Sequence, residues 1–313
     1  MQKTAFVFPG QGSQKVGMLN EIAEKFPAIV AQTFAVATEV LGYDLWQIVV
    51  QGPVELLNQT QYTQAAMLTA DIAIWKIWCE QGGELPALIA GHSLGEYAAL
   101  VAAEAMLFAD AITLVSKRAQ LMQEAVTAGT GAMVVILGLT AQQAIEVCQE
   151  AAQQEIVQAV NFNAPGQVVI AGNSAAVDRA MLLAKEAGAK RVRKLPVSVA
   201  SHCLLMKPAA EKLAAYLTNV TLQSPKIPVV NNVDVQINTD PTTIKDALVR
   251  QLYCPVRWIE TIEFMSKAQN ITTVIECGPG KVLTGLNKRI NSELTLYSLH
   301  NVAGFEEALV GRE

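Results

Sequence analysis

The pentapeptide Gly91-His92-Ser93-Leu94-Gly95 limits what this chain can fold into more than any other feature. A short apolar run, Pro86-Ala87-Leu88-Ile89-Ala90, precedes it, and residues with helical periodicity follow over 94–105. A GxSxG turn between strand and helix is so tight that its serine takes a strained backbone, and only glycine-sized flanks leave room for it. The hydroxyl is pushed out at the sheet edge, where the N–H groups opening the next helix can hold a developing oxyanion.

The surrounding pattern agrees with a mainly parallel sheet covered by helices. A buried strand is expected over 4–8, ending at Pro9-Gly10, with helices over 19–40, 62–79 and 109–126. The pattern changes near Gly129-Thr130-Gly131. Strand 133–137, helix 141–152, strand 157–162, strand 168–171, helix 175–187 and strand 191–195 then follow. That βαββαβ order predicts a small ferredoxin-like domain over 129–196, inserted between 1–128 and 197–313 of a larger α/β domain. The larger domain resumes with a helix over 204–217 and strands over 228–230 and 273–276, the last running into Gly278-Pro279-Gly280.

Composition removes several classes of function. Hydrophobic residues make up 51% of the 313-residue chain and charged ones 16%, which suits a folded α/β protein. A net charge of −5 argues against nucleic-acid binding. The apolar run near Met1 is too short for a signal peptide, and no stretch approaches the ~20 apolar residues of a membrane span. Cys79, Cys148, Cys203, Cys254 and Cys277 are scattered, so neither a disulfide framework nor a metal site is expected. A reduced, cytoplasmic location fits, with no resident cofactor.

A serine needs a base to become a nucleophile. The chain has three histidines. His92 adjoins Ser93, but neighbouring side chains on such a turn diverge. His300 lies in a polar C-terminal stretch without a motif. His202, in Val199-Ala200-Ser201-His202-Cys203, remains. The aspartates between Ser93 and His202 in chain order, Asp110 and Asp178, follow no strand end, so a dyad with a backbone carbonyl orienting the imidazole is expected rather than a triad.

Arg118 lies on the apolar face of its helix, with Ala111, Leu114, Val115, Leu121, Met122 and Ala125 at helical spacing. A guanidinium placed there needs an anion. The anion could be an internal carboxylate or a substrate carboxylate held by the planar fork; a third reading lets the side chain snorkel to solvent. Gly10-Gln11-Gly12-Ser13-Gln14 follows the first strand but lacks GxGxxG spacing, so a loop supplying an N–H to the site is expected there. Lys190-Arg191-Val192-Arg193-Lys194 reads either as a guarded strand edge or as a landing patch for an acidic protein.

Taken together, Phe8-Pro9-Gly10-Gln11-Gly12-Ser13-Gln14, Gly91-His92-Ser93-Leu94-Gly95-Glu96, Asn161-Phe162-Asn163-Ala164-Pro165-Gly166-Gln167, Ser201-His202-Cys203, Asn231-Asn232-Val233 and Gly278-Pro279-Gly280-Lys281 carry a resemblance. Over nearly its whole length the chain resembles the malonyl-CoA:acyl carrier protein transacylases of bacterial type II fatty acid synthesis. It departs from them at Ala65 and Ala200, where proline is frequent. The resemblance implies an α/β-hydrolase-like large domain, Ser93 as nucleophile and His202 as base. It implies an oxyanion hole from the N–H groups of Gln11 and Leu94, and the main-chain carbonyl of Gln251 orienting His202. Arg118 would bind the malonyl carboxylate, with Met122 beside it, and Gln64, Asn161, Asn163 and Gln167 would line the cleft. Malonyl-CoA and an acyl carrier protein are the implied partners of a monomeric enzyme, the carrier docking through Lys190, Arg191, Arg193 and Lys194. The rival readings are a serine esterase or thioesterase on the same turn, and a carrier-binding module with an idle site.

Overall fold

Two separate sheets organise the chain, seen in a computed structural model that describes residues 3–127, 129–197 and 199–311. Ala128, at the expected domain boundary, lies outside the described residues. In chain order the strands are β1 (Thr4–Phe8), β2 (Leu88–Gly91), β3 (Gly131–Leu137), β4 (Val157–Ala164), β5 (Gln167–Asn173), β6 (Arg191–Lys194), β7 (Val229–Val230), β8 (Thr273–Glu276) and β9 (Thr295–Ser298).

The first sheet is parallel, with strand order β7-β2-β1-β8-β9. Every residue of β1, β2 and β8 is buried, as expected when helices cover both faces of a parallel sheet. Phe6 and Phe8 face the long helix Thr60–Glu80, with the Phe6 ring 5.4 Å from that of Trp75 and 5.2 Å from that of Trp78. Ala5, Val7, Leu88, Ala90 and Val274 point the other way, into a second core with Trp258 and Ile262. Phe8 pairs with Gly91, so the loops after β1 and β2 emerge side by side at the carboxyl edge of the sheet.

The second sheet is antiparallel, with order β4-β5-β3-β6, and all its elements fall between Gly131 and Lys194. The helices Ala141–Ala152 and Ser174–Glu186 cover one face, packing on Val134, Ile136 and Ile170. Met133, Val160, Val169 and Ala171 on the opposite face pack with Ala200 and Cys203. The two sheets are joined by backbone: Phe162 N–H donates to the Val256 carbonyl at 3.0 Å, and Val256 N–H returns to Val160 at 2.8 Å.

Several expected elements shift. The helix expected over 19–40 is two helices, Asn20–Lys25 and Pro27–Leu41, because Pro27 removes an N–H and restricts Phe26 before it. The helix after Ser93 is only Gly95–Ala102, since the chain reverses at Glu104 with φ +56°. Leu204–Met206 is a 3₁₀ turn ahead of the helix Lys207–Leu217, with Pro208 in its first turn. The half-exposed edge strand β9 carries no continuous apolar run, and no strand was expected there.

Candidate active site

The two glycines of the elbow are required by contact. A Cβ on Gly91 would overlap the Gly95 backbone, and one on Gly95 would overlap the Phe8 carbonyl. Between them Ser93 has φ +52°, in the left-handed region that non-glycine residues seldom occupy. Asn232, just past β7, holds this geometry: its Oδ1 accepts from Ser93 N–H at 2.6 Å and its Nδ2 donates to the Gly91 carbonyl at 2.6 Å.

His202 reaches Ser93 from the segment that leaves β6. Its backbone is also left-handed, φ +65°, and its N–H donates to the Leu252 carbonyl at 2.9 Å. The ring lies 2.7 Å from Ser93 Oγ through Nε2 and 2.7 Å from the Gln251 carbonyl through Nδ1. A carbonyl can only accept, so Nδ1 carries the proton and bare Nε2 faces the hydroxyl. Burial and, after it, the charge of Arg118 push the His202 pKa down to about 3, so the ring is neutral at ordinary pH.

Arg118 is 1% exposed, which removes snorkelling. No carboxylate pairs with it among the described residues, which removes the internal salt bridge. Two neutral amides hold it instead: Nη1 donates to Gln64 Oε1 at 2.8 Å and Nη2 to Gln251 Oε1 at 3.1 Å. Its Nε has no partner, its guanidinium stands 5.4 Å from the Tyr97 ring centre, and Nη2 lies 3.5 Å from Ser93 Oγ. A buried cation with open donors beside a serine hydroxyl is a receptor for an anion.

The turn after β1 completes the site. Gly10 sits against the His92 carbonyl, and a Cβ there would stand 3.5 Å from Leu94 N. The N–H groups of Gln11 and Leu94 find no backbone acceptor among the described residues. A cavity of about 80 Å³ opens over Ser93 and His202, walled by Gln11, Thr60, His92, Met133, Asn161, Leu195, Val197, Val199 and Ser201. Asn161 Oδ1 is buried there without a partner.

The remaining expected residues divide. Gln64 and Met122 stand behind the wall: Gln64 Nε2 lies 3.5 Å from Met122 Sδ and 3.5 Å from Gln11 Oε1. Asn163 does not line the cavity but holds His92 Nε2 at 2.8 Å, with the His92 ring against Trp258, which keeps His92 from serving Ser93. Gln167, expected to line the cleft, stands apart from the Ser93 cavity. It opens β5 at the hairpin end, outside the cavity wall, and its Oε1 accepts from Arg289 Nη1 at 2.6 Å. His300 Nδ1 lies 3.2 Å from Ser298 Oγ, outside the wall of the Ser93 cavity. In the basic run, Lys194 pairs with Asp178 at 2.6 Å, and Val192 packs on the helices. Alternation along β6 sends Arg191 and Arg193 to the other face of the sheet, and the strand leads straight into Leu195 and Val197 of the cavity wall.

Asn232 and Glu96 belong to sequence motifs in which their tasks are not evident, and the side chain of Gln251 joins them. A signal for Asn232 was available, because it follows a parallel strand at its carboxyl end, where open α/β sheets bind ligands. The contact between Glu96 and the Gln251 side chain spans 155 residues of sequence and left no local trace.

The family described as acyl transferase domain matches residues 5–304. The chain is 56% identical over 309 residues to the malonyl CoA-acyl carrier protein transacylase of Salmonella typhimurium, covering 99% of each. It superposes on an acyl carrier protein S-malonyltransferase from Vibrio cholerae with TM-score 0.94 and 60% identity, covering 97% of this chain and 99% of that one. A malonyl-transacylase solved in complex with its type II PKS acyl-carrier protein matches with TM-score 0.97 and 55% identity, covering 99% of both chains.

Proposed function

This chain belongs to the acyl transferase domain family and, within it, to the malonyl CoA-acyl carrier protein transacylases, and from that premise we propose a ping-pong malonyl transfer through Ser93. His202 Nε2 takes the Ser93 proton as Oγ attacks the thioester carbonyl of malonyl-CoA. The N–H groups of Gln11 and Leu94 receive the oxyanion. The C–S bond then breaks, and coenzyme A leaves with the proton held by His202. Malonate remains as a serine ester, its carboxylate on Arg118. The phosphopantetheine thiol of the acyl carrier protein gives its proton to His202 and attacks the ester. The C–O bond breaks, and Ser93 Oγ recovers the proton. The product supplies two-carbon units for fatty acid elongation.

One observation carries this reading: a buried arginine without a carboxylate partner sits within 3.5 Å of a serine hydroxyl that is itself bonded to a neutral histidine. A plain esterase has no use for that cation. Every step uses the chain's own residues and its two substrates, so the reaction as proposed needs no resident cofactor or metal.

The frame of this reading is an α/β-hydrolase-like domain over 1–128 and 197–313 with a ferredoxin-like insert over 129–196. The parallel sheet and the antiparallel order β4-β5-β3-β6 support it. The carrier docks where Arg191 and Arg193 flank the approach to Leu195 and Val197, with Lys190 and Lys194 at the rim. Asn161 binds the arm on the cavity wall, while Asn163, Gln64 and Met122 support from behind. The enzyme acts as a cytoplasmic monomer; no helix among the described residues is long and apolar enough to cross a membrane.

Incubation with malonyl-CoA alone, followed by intact-mass measurement, should give one malonyl adduct, absent in Ser93→Ala. An unmodified natural chain would sink the reading. Rapid hydrolysis of malonyl-CoA without carrier would return the esterase in its place.

A further inference from the structure

Arg118 stays open to a ligand because its neighbours are amides, and something must keep those amides turned the right way. An amide presents an oxygen on one side and an N–H₂ on the other, and only the oxygen stabilises a guanidinium. For Gln251 the choice is fixed from behind. Its Nε2 donates to Glu96 Oε2 at 2.8 Å and to the Ser93 carbonyl at 3.1 Å, which leaves Oε1 facing Arg118 Nη2. The same Glu96 oxygen accepts Asn232 N–H at 3.0 Å, and Asn232 holds both sides of the elbow. Glu96 is 3% exposed, in the first turn of the helix that follows Ser93. Burial raises its carboxyl to about 7, against hydrogen bonds from Gln251 and Asn232 that hold it down.

A carboxylate in direct contact with Arg118 would neutralise the cation and occupy its donors. One amide further back, it orders the cation's surroundings without occupying it. We propose that Glu96 is the positioning residue for the Arg118 clamp, acting through the side-chain amide of Gln251, and so sets the preference for acyl groups that carry a carboxylate. This rests on the malonyl-transfer reading above. It gives Gln251 two separable roles: its main-chain carbonyl orients the base, and its side chain orients the clamp.

The working group is the oxygen that accepts from Gln251 and Asn232, not the charge. Glu96→Gln can keep a carbonyl oxygen in that place, and Glu96 borders a small, mainly apolar pocket in which Asn231 and Asn238 are the polar neighbours for the new amide N–H₂. Glu96→Ala removes the acceptor. Gln251→Met removes the relay while keeping the main-chain carbonyl.

The test is the ratio of single-turnover loading rates of Ser93 from malonyl-CoA and from acetyl-CoA, read by intact mass on the full chain. Glu96→Ala and Gln251→Met should each lower the ratio by about tenfold or more, and Glu96→Gln should stay within about threefold of the natural chain. An unchanged ratio in Glu96→Ala and Gln251→Met overturns the proposal, as does an equal loss in Glu96→Gln and Glu96→Ala. If Glu96→Ala shows no cooperative thermal transition, Gln251→Met against Glu96→Gln decides by the same criteria. Failure of the natural chain to load malonate at all condemns the transfer reading instead, so the two failures are distinct.

Discussion

His202 differs from a free imidazole in a way that kinetics can read. Its folded pKa lies near 3, depressed first by burial and then by Arg118, so the neutral base persists far into acid. Protonation removes the base only as pH falls toward that value, and not through the 6.5 of an exposed ring. The kcat/KM for serine loading should therefore be flat between about pH 4.5 and about pH 6. A titration in that window traced to His202 would show the ring to be wetter than described. At this scale the sequence was informative where chemistry allows few alternatives. With three histidines, elimination sufficed to reach His202. Arg118 stood out because a guanidinium conflicts with its apolar neighbours. Glu96 did not, because an acid in a helix's first turn is ordinary.

Asp71 bears on stability at the scale of the element. It lies in the middle of the helix Thr60–Glu80, fully buried, with neither carboxylate oxygen partnered. Burial first, and the charge of Glu276 second, raise its pKa well above the ordinary value. A group held protonated by the fold loses its contribution as pH climbs from the unfolded pKa through the folded one. Asp71→Asn should thus raise the melting temperature, and by more at about pH 8 than at about pH 4, checked by thermal unfolding at both. Equal shifts would mean that the carboxyl is ionised or solvated in the fold. The helix 141–152, with its strong period, and the continuously buried strand 273–276 were readable from sequence to the residue. Elements ended by local chemistry shifted: Pro27 split one helix, and the turn at Glu104 shortened another. The edge strand β9 owes its pairing to β8 and not to its own residues.

Across the whole molecule, charge is distributed unevenly. The chain is acidic overall, yet Arg191 and Arg193 stand exposed on the strand that runs into the cavity wall. Reversing both to Glu should lower kcat/KM for the acyl carrier protein, with an effect that fades as salt is raised. A salt-independent loss would point to damaged packing, and no loss would move the docking face elsewhere. The separation into two sheets was legible because the strand and helix order changes near residue 130. How the parts meet was not, since the Val256 backbone pairing and the Arg289 contacts to Gln167 and Pro165 join segments far apart in sequence. Gly131, where the chain enters the antiparallel sheet, packs on Ala200, just past the exit. Entry and exit thus share one doorway, and on the proposed domain division the stretch 129–196, which holds the whole antiparallel sheet, would be an exchangeable cartridge. It brings Met133, Asn161 and Leu195 to the wall, while Ser93 and Arg118 stay with the frame. On the proposed reading, swapping the cartridge should re-tailor the wall that meets the thiol carrier and leave the acyl choice to the frame, so that the two specificities could be evolved one at a time.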